Sequence, residues 1–561
     1  MSESLTPPFH ALGRTLFVVS AVTLVVGVAA VGAFWSPALW AYLVVGPFVA
    51  LGVWDMTQEH HAILRNYPVL GHVRYIFEAI RPEIQQYFVE QNLEGRPLNR
   101  QERSVVYARS KRQLDTTPFG TQRNVYDEGH EWMNHSLCPV QDEHGEEQPR
   151  IRIGGSLCSQ PYEASVLNIS AMSYGSLSHA AIRALNAGAA RGGFFHNTGE
   201  GGCSPYHLEP GGDLCWQLGT GYFGCRTEGG RFDGGLFQET ARHPNVKLIE
   251  LKLSQGAKPG KGGILPAAKI TPEIARIRRV PMGQDVISPP SHLEFDTPIG
   301  LLEFIQRLRE LSGGKPVGFK LCMGKRREFF AICKAMRETG IRPDFITVDG
   351  AEGGTGAAPL EFSNFMGTPL VEGLVTAHNG LVGFGLRDEV KIIASGGVMT
   401  GFSIAKRLAI GADVCLAARA FMLSLGCIQA LRCHLNDCPA GVATQDPRLV
   451  GGLVVTRKSE RVFNFHRDTV KTFMALLYAS GVAHPSDLRP WHIHRRVSQF
   501  EVRHYGEMFH YLEPGELLGE ELPAAYVRAV RAASPFTFAH AALAPPLQAV
   551  EALGEAARLS A

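Results

Sequence analysis

The 561-residue chain lacks an excess of either charge, with 55 Lys plus Arg against 53 Asp plus Glu. It therefore offers no basic field for nucleic acid and no acidic tail. It has no CxxC, and its eleven cysteines are odd in number and match no small disulfide framework. Most are expected to be reduced core thiols, with Cys322, Cys333 and Cys415 inside apolar runs. Cys203, Cys215 and Cys225 are too widely spaced for a common metal pattern. No GxGxxG unit precedes residue 165, so no pyridine-nucleotide site is suggested there. The 61 glycines, about 11% against a usual ~7%, follow no Gly-X-Y period, which excludes collagen. Charged residues are only 19% and hydrophobic ones 45%, enough for a large core. From Thr15 to Trp54 there is no charge at all.

That uncharged stretch reads as a transmembrane hairpin. Thr15 to Trp35 can span a bilayer at ~1.5 Å per residue. After a Ser36-Pro37 break, Ala38 to Trp54 offers a shorter second run, interrupted by Gly46-Pro47. Trp35, Trp40 and Trp54 stand where interfacial aromatics belong. A cleaved leader is disfavoured, because Arg14 is its only base and a second apolar run follows directly. Arg14, Arg65, Arg74 and Arg81 flank the pair, whereas the connecting loop has no Lys or Arg. One span or two, the large remainder of the chain is expected on the cytoplasmic side of the cell membrane.

Five regions follow. A hairpin over 1–55 leads into a polar, partly helical segment over 56–160, with a helical patch at Tyr75–Gln91. From 161 to 425, short apolar or β-branched runs alternate with helical stretches. The expected strands are Val166–Ala171, Gly193–Asn197, Val246–Lys252, Asp285–Ser288, Val317–Leu321, Phe345–Val348, Ile392–Ala394 and Val414–Ala417. An open doubly wound sheet uses the same alternation, but a count of eight favours an α/β fold of the (β/α)8 TIM-barrel type. A cysteine-bearing segment and helices fill 426–531, and an Ala/Pro-rich tail runs over 532–561.

In such a barrel, function sits at the carboxyl ends of the strands, and the loops after strands seven and eight bind phosphate. Gly396 and Gly397 follow the seventh run, and Ala418 and Arg419 the eighth. Gly353, Gly354 and Thr355 follow the sixth. Glycine lets backbone N–H groups approach an anion that a side chain would hold off. Lys320 ends the fifth run, as a barrel-mouth cation near a flavin ring or an anionic substrate, or as a surface lysine. Together these features suggest FMN.

Cys427, Cys433 and Cys438 fall within twelve residues, the last followed by Pro439. Three thiols at this density suit iron–sulfur ligation and favour a [3Fe–4S] cluster. A Cys3His zinc site through His434 is disfavoured because His434 directly follows Cys433. Free core thiols are the remaining alternative.

The run ISAMSYGSLSHAAIRALNAGAARGG…NTGEGG, followed by ELKLSQGAKPGKGG, ISPPSH, DGAEGGTGAAP, SGGV and GCIQALRCHLNDCPAGVATQDP, resembles the flavin domain of glutamate synthase. The resemblance covers Val166 to Pro447 in the same order. It implies a (β/α)8 barrel with FMN and a [3Fe–4S] cluster. It implies that Met172, Ser173 and Ser176 lie near the flavin and an oxoacid, and that Lys320 contacts the ring. Gly353, Gly354, Thr355, Gly396, Gly397 and Ala418 would hold the phosphate, and Cys427, Cys433 and Cys438 the cluster. Glu200, Gln255, Lys258 and Arg278 fall on the substrate side, where cations clamp carboxylates and a carboxylate moves protons.

The departures also lie on the substrate side. Ile264 stands where the family carries a glutamine that helps bind 2-oxoglutarate. Cys203-Ser204 replaces an acidic pair, and Leu293 replaces the second histidine of SPPPHHD. Glutamine-using members also need an amino-terminal cysteine nucleophile and an amidotransferase domain, which are not expected here. Three readings follow. The first is an oxidoreductase that reduces a 2-imino acid, formed from 2-oxoglutarate or a related oxoacid plus ammonia or an amine. The second is a membrane amine or amino-acid dehydrogenase passing electrons through the cluster to quinone, and the third a non-catalytic electron-transfer subunit. The electron partner would be another protein, such as ferredoxin, or a membrane quinone.

Overall fold

The computed structural model describes residues 9–141 and 148–539. The expected tail therefore lies outside the described residues from 540 onward. The chain divides into two compact units, Met1–Pro97 and Leu98–Ala561, so the segment expected over 56–160 is shared between them.

In the first unit, helix Phe9–Phe34 is followed by a 3-10 turn, Ser36–Ala41, with Pro37 in its first turn, and then by helix Tyr42–Thr57. Gly13–Phe34 and Ser36–Thr57, 22 residues each, are long and apolar enough to cross a membrane. The two helices touch through Phe17 and Phe48, with ring centroids 5.5 Å apart. Gly52 makes that approach possible, since a Cβ there would lie 2.0 Å from the Phe17 ring. Helix Gly71–Ile84 follows, and a π-helical turn, Gln85–Val89, extends it.

The second unit is built around a closed barrel of eight parallel strands. They are β1 (Leu167–Ile169), β2 (His196–Asn197), β3 (Leu214–Leu218), β4 (Val246–Lys252), β5 (Val317–Leu321), β6 (Phe345–Asp349), β7 (Lys391–Ser395) and β8 (Val414–Ala417). Chain order equals spatial order, and β8 closes on β1 through Cys415–Leu167 and Ala417–Ile169. The strands are buried almost throughout, as expected of a parallel sheet covered by helices. A separate apolar cluster that includes Phe195, Leu248, Phe345 and Ile393 also takes in Ile153 and Ala164. The last two belong to an antiparallel hairpin, Arg150–Ile153 with Tyr162–Ser165.

One of the eight expected strands was misplaced. The third is Leu214–Leu218, which the sequence reading omitted. Val286–Ile287 instead pairs with Ile264–Leu265 in a small antiparallel hairpin between β4 and β5. A short β-branched run is compatible with either role, and only its hydrogen-bonding partner distinguishes them. The same excursion carries helix Pro272–Arg278, which places Arg278. After the barrel, helix Val455–Ala479 packs over its first helix, His179–Gly192, where Gly188 admits Val462.

Candidate functional site

The carboxyl ends of the strands open into one cavity. Its wall includes Ser170, Gln217, Lys252, Gln255, Lys320, Asp349 and Ser395 with the loops after β6, β7 and β8. Glu250 and Lys252 are two apart on β4 and so share a face. The Glu250 carboxylate accepts hydrogen bonds from Asn197 Nδ2 at 2.8 Å, Gln217 Nε2 at 2.6 Å and Thr347 Oγ1 at 2.6 Å. A carboxylate buried with three donors forms a satisfied floor.

Two lysines stand above it. Lys252 on β4 and Lys320 on β5 are register partners, which alone would be repulsive. Each has its own carboxylate: Lys252 Nζ lies 3.1 Å from Glu200 and Lys320 Nζ 3.3 Å from Asp349. Burial pulls the Lys320 ammonium down, but Asp349, Glu250 and Glu200 more than reverse it, so it stays protonated. Burial likewise pushes the Glu200 carboxyl up, and Lys252, Arg278 and Lys258 hold it below the usual range. Lys252 Nζ also donates to Gln255 Oε1 at 2.9 Å.

Arg278 reaches this group from the excursion. Its Nη2 donates to Tyr174 O at 2.9 Å and Ser173 Oγ at 3.4 Å, and Ser173 Oγ donates to Ser176 Oγ at 3.1 Å. Gly201 of NTGEGG is required here, because a Cβ would lie 2.7 Å from Arg278 Nη2 and 2.8 Å from Ser173 Cβ. Burial lowers the Arg278 guanidinium to about 10, opposed by Glu200, and its buried Nε has no partner among the described residues. Lys258 Nζ donates to Ala357 O at 2.9 Å, joining the β4 loop to the β6 loop. Met172 is buried beside them, its N–H donating to Asn197 O.

The opposite wall is made of backbone. Gly396 and Gly397, at φ 139° and 61°, turn the chain after β7 in a conformation that side-chain-bearing residues rarely adopt. Arg407 lies against this turn, its Nη2 donating to Gly396 O and its buried Nε without a partner among the described residues. Arg419 follows β8 and crosses to the β6 loop, where Nη2 donates to Glu352 O at 2.7 Å. A Cβ on Gly354 would approach the Arg419 side chain to 3.1 Å. Small residues, positive φ and an orphaned guanidinium nitrogen suit a phosphate end.

The cysteine segment is fastened to the β1 loop. Lys269 Nζ donates to Cys433 O at 2.7 Å, Ala443 O at 3.0 Å and Ser176 O at 3.1 Å. Gln445 Nε2 adds bonds to Leu177 O and Gly175 O. Burial raises the Cys427 thiol to about 11, and Cys433 and Cys438 are near enough to add to the effect. All eleven cysteines are free. Among the described residues, no three His, Cys, Asp or Glu side chains converge on a single ion. A three-iron cluster needs no such convergence, because each thiolate holds a different iron. The donor set therefore fits the cluster in chemistry.

The cavity brings together Gln255, Lys320, Gly353, Gly354, Gly396, Gly397, Ala418 and Arg419. Met172, Ser173, Ser176, Glu200, Lys258 and Arg278 join through the contacts above, and Thr355 is exposed and outside the lining. Sequence reasoning missed Lys252, Gln217, Glu250, Asp349, Lys269 and Arg407. The reasoning that selected Lys320, a charge ending an apolar strand, applies equally to Lys252. Of the departures, Ile264 is half-buried beside Gly263, where a Cβ would lie 2.3 Å from Glu200 Oε1. Cys203 is half-buried, and burial raises its thiol to about 12. Leu293 is exposed, while its neighbour His292 is buried against Lys252 O at 2.9 Å and Tyr222 OH at 2.8 Å.

The chain is similar to several known proteins. The chain is 37% identical over 502 residues to the glutamate synthase large subunit-like protein YerD of Bacillus subtilis, covering 82% of this chain and 95% of that one. It is 35% identical over 323 residues to the archaeal glutamate synthase [NADPH] of Methanocaldococcus jannaschii, covering 57% and 60%. A flavocytochrome b2 variant with pyruvate bound aligns at 14% identity and TM-score 0.40, covering 75% of this chain and 85% of that one. The conserved region in glutamate synthase matches residues 142–483, so the barrel, its mouth and the cysteine segment all fall inside it and the chain belongs to the glutamate synthase family.

Proposed function

We propose that the protein is an FMN-dependent oxidoreductase that reduces a 2-imino acid to the amino acid at the barrel mouth. The observation that carries this reading is the joining of two half-sites. The glycine turns after β6 and β7 line the same cavity as Lys252, Lys320 and Gln255, with Arg407 bonded to the back of the β7 turn and Glu200 paired with Lys252. Gly353, Gly354, Gly396, Gly397 and Ala418 would hold the FMN phosphate, with Lys320 near the ring. Bound there, FMN supplies a two-electron redox centre. Cys427, Cys433 and Cys438 would hold a [3Fe–4S] cluster that relays single electrons.

This chain's own residues bind and orient the substrate. Arg278 and Lys258 clamp the carboxylate, and Ser173 and Ser176 fix its orientation. Glu200, its carboxyl held below the usual range, accepts a proton from the adding ammonia or amine and returns it to the hydroxyl that leaves as water when the imine forms. Lys252, 3.1 Å away, holds Glu200 in place. We place the chain at the cell membrane through its apolar helices, with the barrel on the cytoplasmic side. Electrons would then come from reduced ferredoxin, another protein or the quinol form of a membrane quinone.

Ile264, standing where the family carries a glutamine, and the bilayer-length helices favour a second reading, in which an amine or amino acid is oxidised and electrons leave to quinone. One experiment separates the two. The full chain is purified in detergent, and flavin absorbance is followed without oxygen. Reoxidation of pre-reduced flavin by 2-oxoglutarate or a related oxoacid plus ammonia supports imine reduction. Bleaching of oxidised flavin by an amino acid or amine, without that reoxidation, supports the dehydrogenase. A colourless, zinc-containing protein overturns both.

A further inference from the structure

The first unit contains a feature that the redox site does not use. In helix Gly71–Ile84, Val73, Ile76, Phe77, Ile80 and Ile84 follow the i, i+3, i+4, i+7, i+11 spacing of a single helix face. All five are exposed, and the stripe continues into Leu70, Tyr87 and Phe88, the last 84% exposed. Arg74 and Arg81 border one side, with Arg74 Nε 2.9 Å from Glu78. Exposed apolar surface of this size and continuity marks a docking face.

The unit's own contacts indicate what covers it. Arg14, where the first bilayer-length helix begins, donates from Nε to Arg65 O at 2.6 Å. Asp55, fully buried in the last turn of the second, accepts from Val69 N at 2.8 Å and His72 Nε2 at 2.9 Å. The two outer ends of the helical pair and the start of helix Gly71–Ile84 are therefore fastened together. If the pair spans a bilayer, that junction lies at the level of the headgroups.

We infer that helix Gly71–Ile84 and its extension to Val89 lie in the membrane interface, with the Val73–Phe88 stripe in the acyl boundary. This rests on the membrane reading above. An interfacial helix buries its apolar face about 5–10 Å into the headgroup–acyl boundary, and arginines at its margin reach lipid phosphate. The occupant is the bilayer itself, by continuity with the adjoining spans.

The test uses the full chain reconstituted in phosphatidylcholine vesicles brominated near the headgroup end of the acyl chain. Phe77→Trp and Phe88→Trp each add one emitter to the six native tryptophans, and Glu78→Trp places one on the polar face. The expected result is loss of most of the emission added at 77 and 88, with the emission added at 78 largely kept. Phe88 buries little, so that variant remains informative if Phe77→Trp misfolds. Quenching of native emission with none at 77 or 88 overturns the inference alone and points to a protein partner. Equal quenching at 77, 78 and 88 also overturns it. If native emission, including that of Trp35, Trp40 and Trp54, is not quenched, the membrane reading and this inference both fail.

Discussion

The unit ending at Pro97 turns its large apolar side chains outward, whereas the barrel turns Glu250, Lys320 and Asp349 inward. Val22, Val26, Trp40 and Phe77 are exposed in the first. In the second, Glu250 is about as buried as the aliphatic strand residues around it. The same rule accounts for both. An apolar surface needs an apolar neighbour, and a buried charge needs a partner for every lone pair. The barrel meets the second condition internally with Asn197, Gln217 and Thr347, while the outward stripe of the first unit has no apolar cover among the described residues.

The sharpest way to break the comparison is to remove a buried charge from the barrel. Glu250→Leu strands three donors at about 1–3 kcal/mol each, so we expect a several-kcal/mol loss or failure to fold, read by thermal unfolding. Next comes a buried apolar residue. Ile346→Ala on β6 should cost about 2–5 kcal/mol, read by urea denaturation with a fluorescence probe of the barrel.

A smaller effect concerns pH. The Glu200 carboxyl is held below its ordinary 4.5 in the folded protein. The stability it contributes is complete above that value and lost as pH falls through the lowered one. Glu200→Gln should flatten the acid limb of a melting-temperature profile, and an unchanged limb would contradict the Lys252 pairing. Lys320 has the opposite sign. Its folded value is raised, so its contribution is complete below 10.5 and lost as pH rises through the higher value. Lys320→Met should therefore flatten the alkaline limb.

The smallest effect lies in the first unit. Ile80→Ala on the exposed stripe should change unfolding in detergent by no more than about 0.5 kcal/mol, an order of magnitude below Glu250→Leu. A loss comparable to that of Ile346→Ala would mean the stripe is packed against protein.

Much of the fold was legible because it is written in local pattern. The apolar run from Thr15, the glycines after β6, β7 and β8, and Lys320 at the end of VGFKL all follow from short-range periodicity and residue chemistry. The third strand was not. LCWQL alternates too little to stand out, and Val286–Ile287 looked equally suitable. Likewise, Gln255 and Glu200 were selected, but Lys252, which touches both, was not.

The sequence by itself determined a charge-free amino-terminal stretch, a strand–helix alternation containing seven of the eight barrel strands, and a dense three-cysteine segment. Each depends on residues near one another in the chain. Tertiary structure alone decided that Leu214–Leu218 enters the barrel and that Lys269 ties the cysteines to Ser176. It also decided that Gly263 comes to lie beside Glu200. The physical reason is that a strand's place and a charge's partner depend on hydrogen-bond register across a closed sheet. Register is a property of pairs of segments, and it cannot be read from either segment alone.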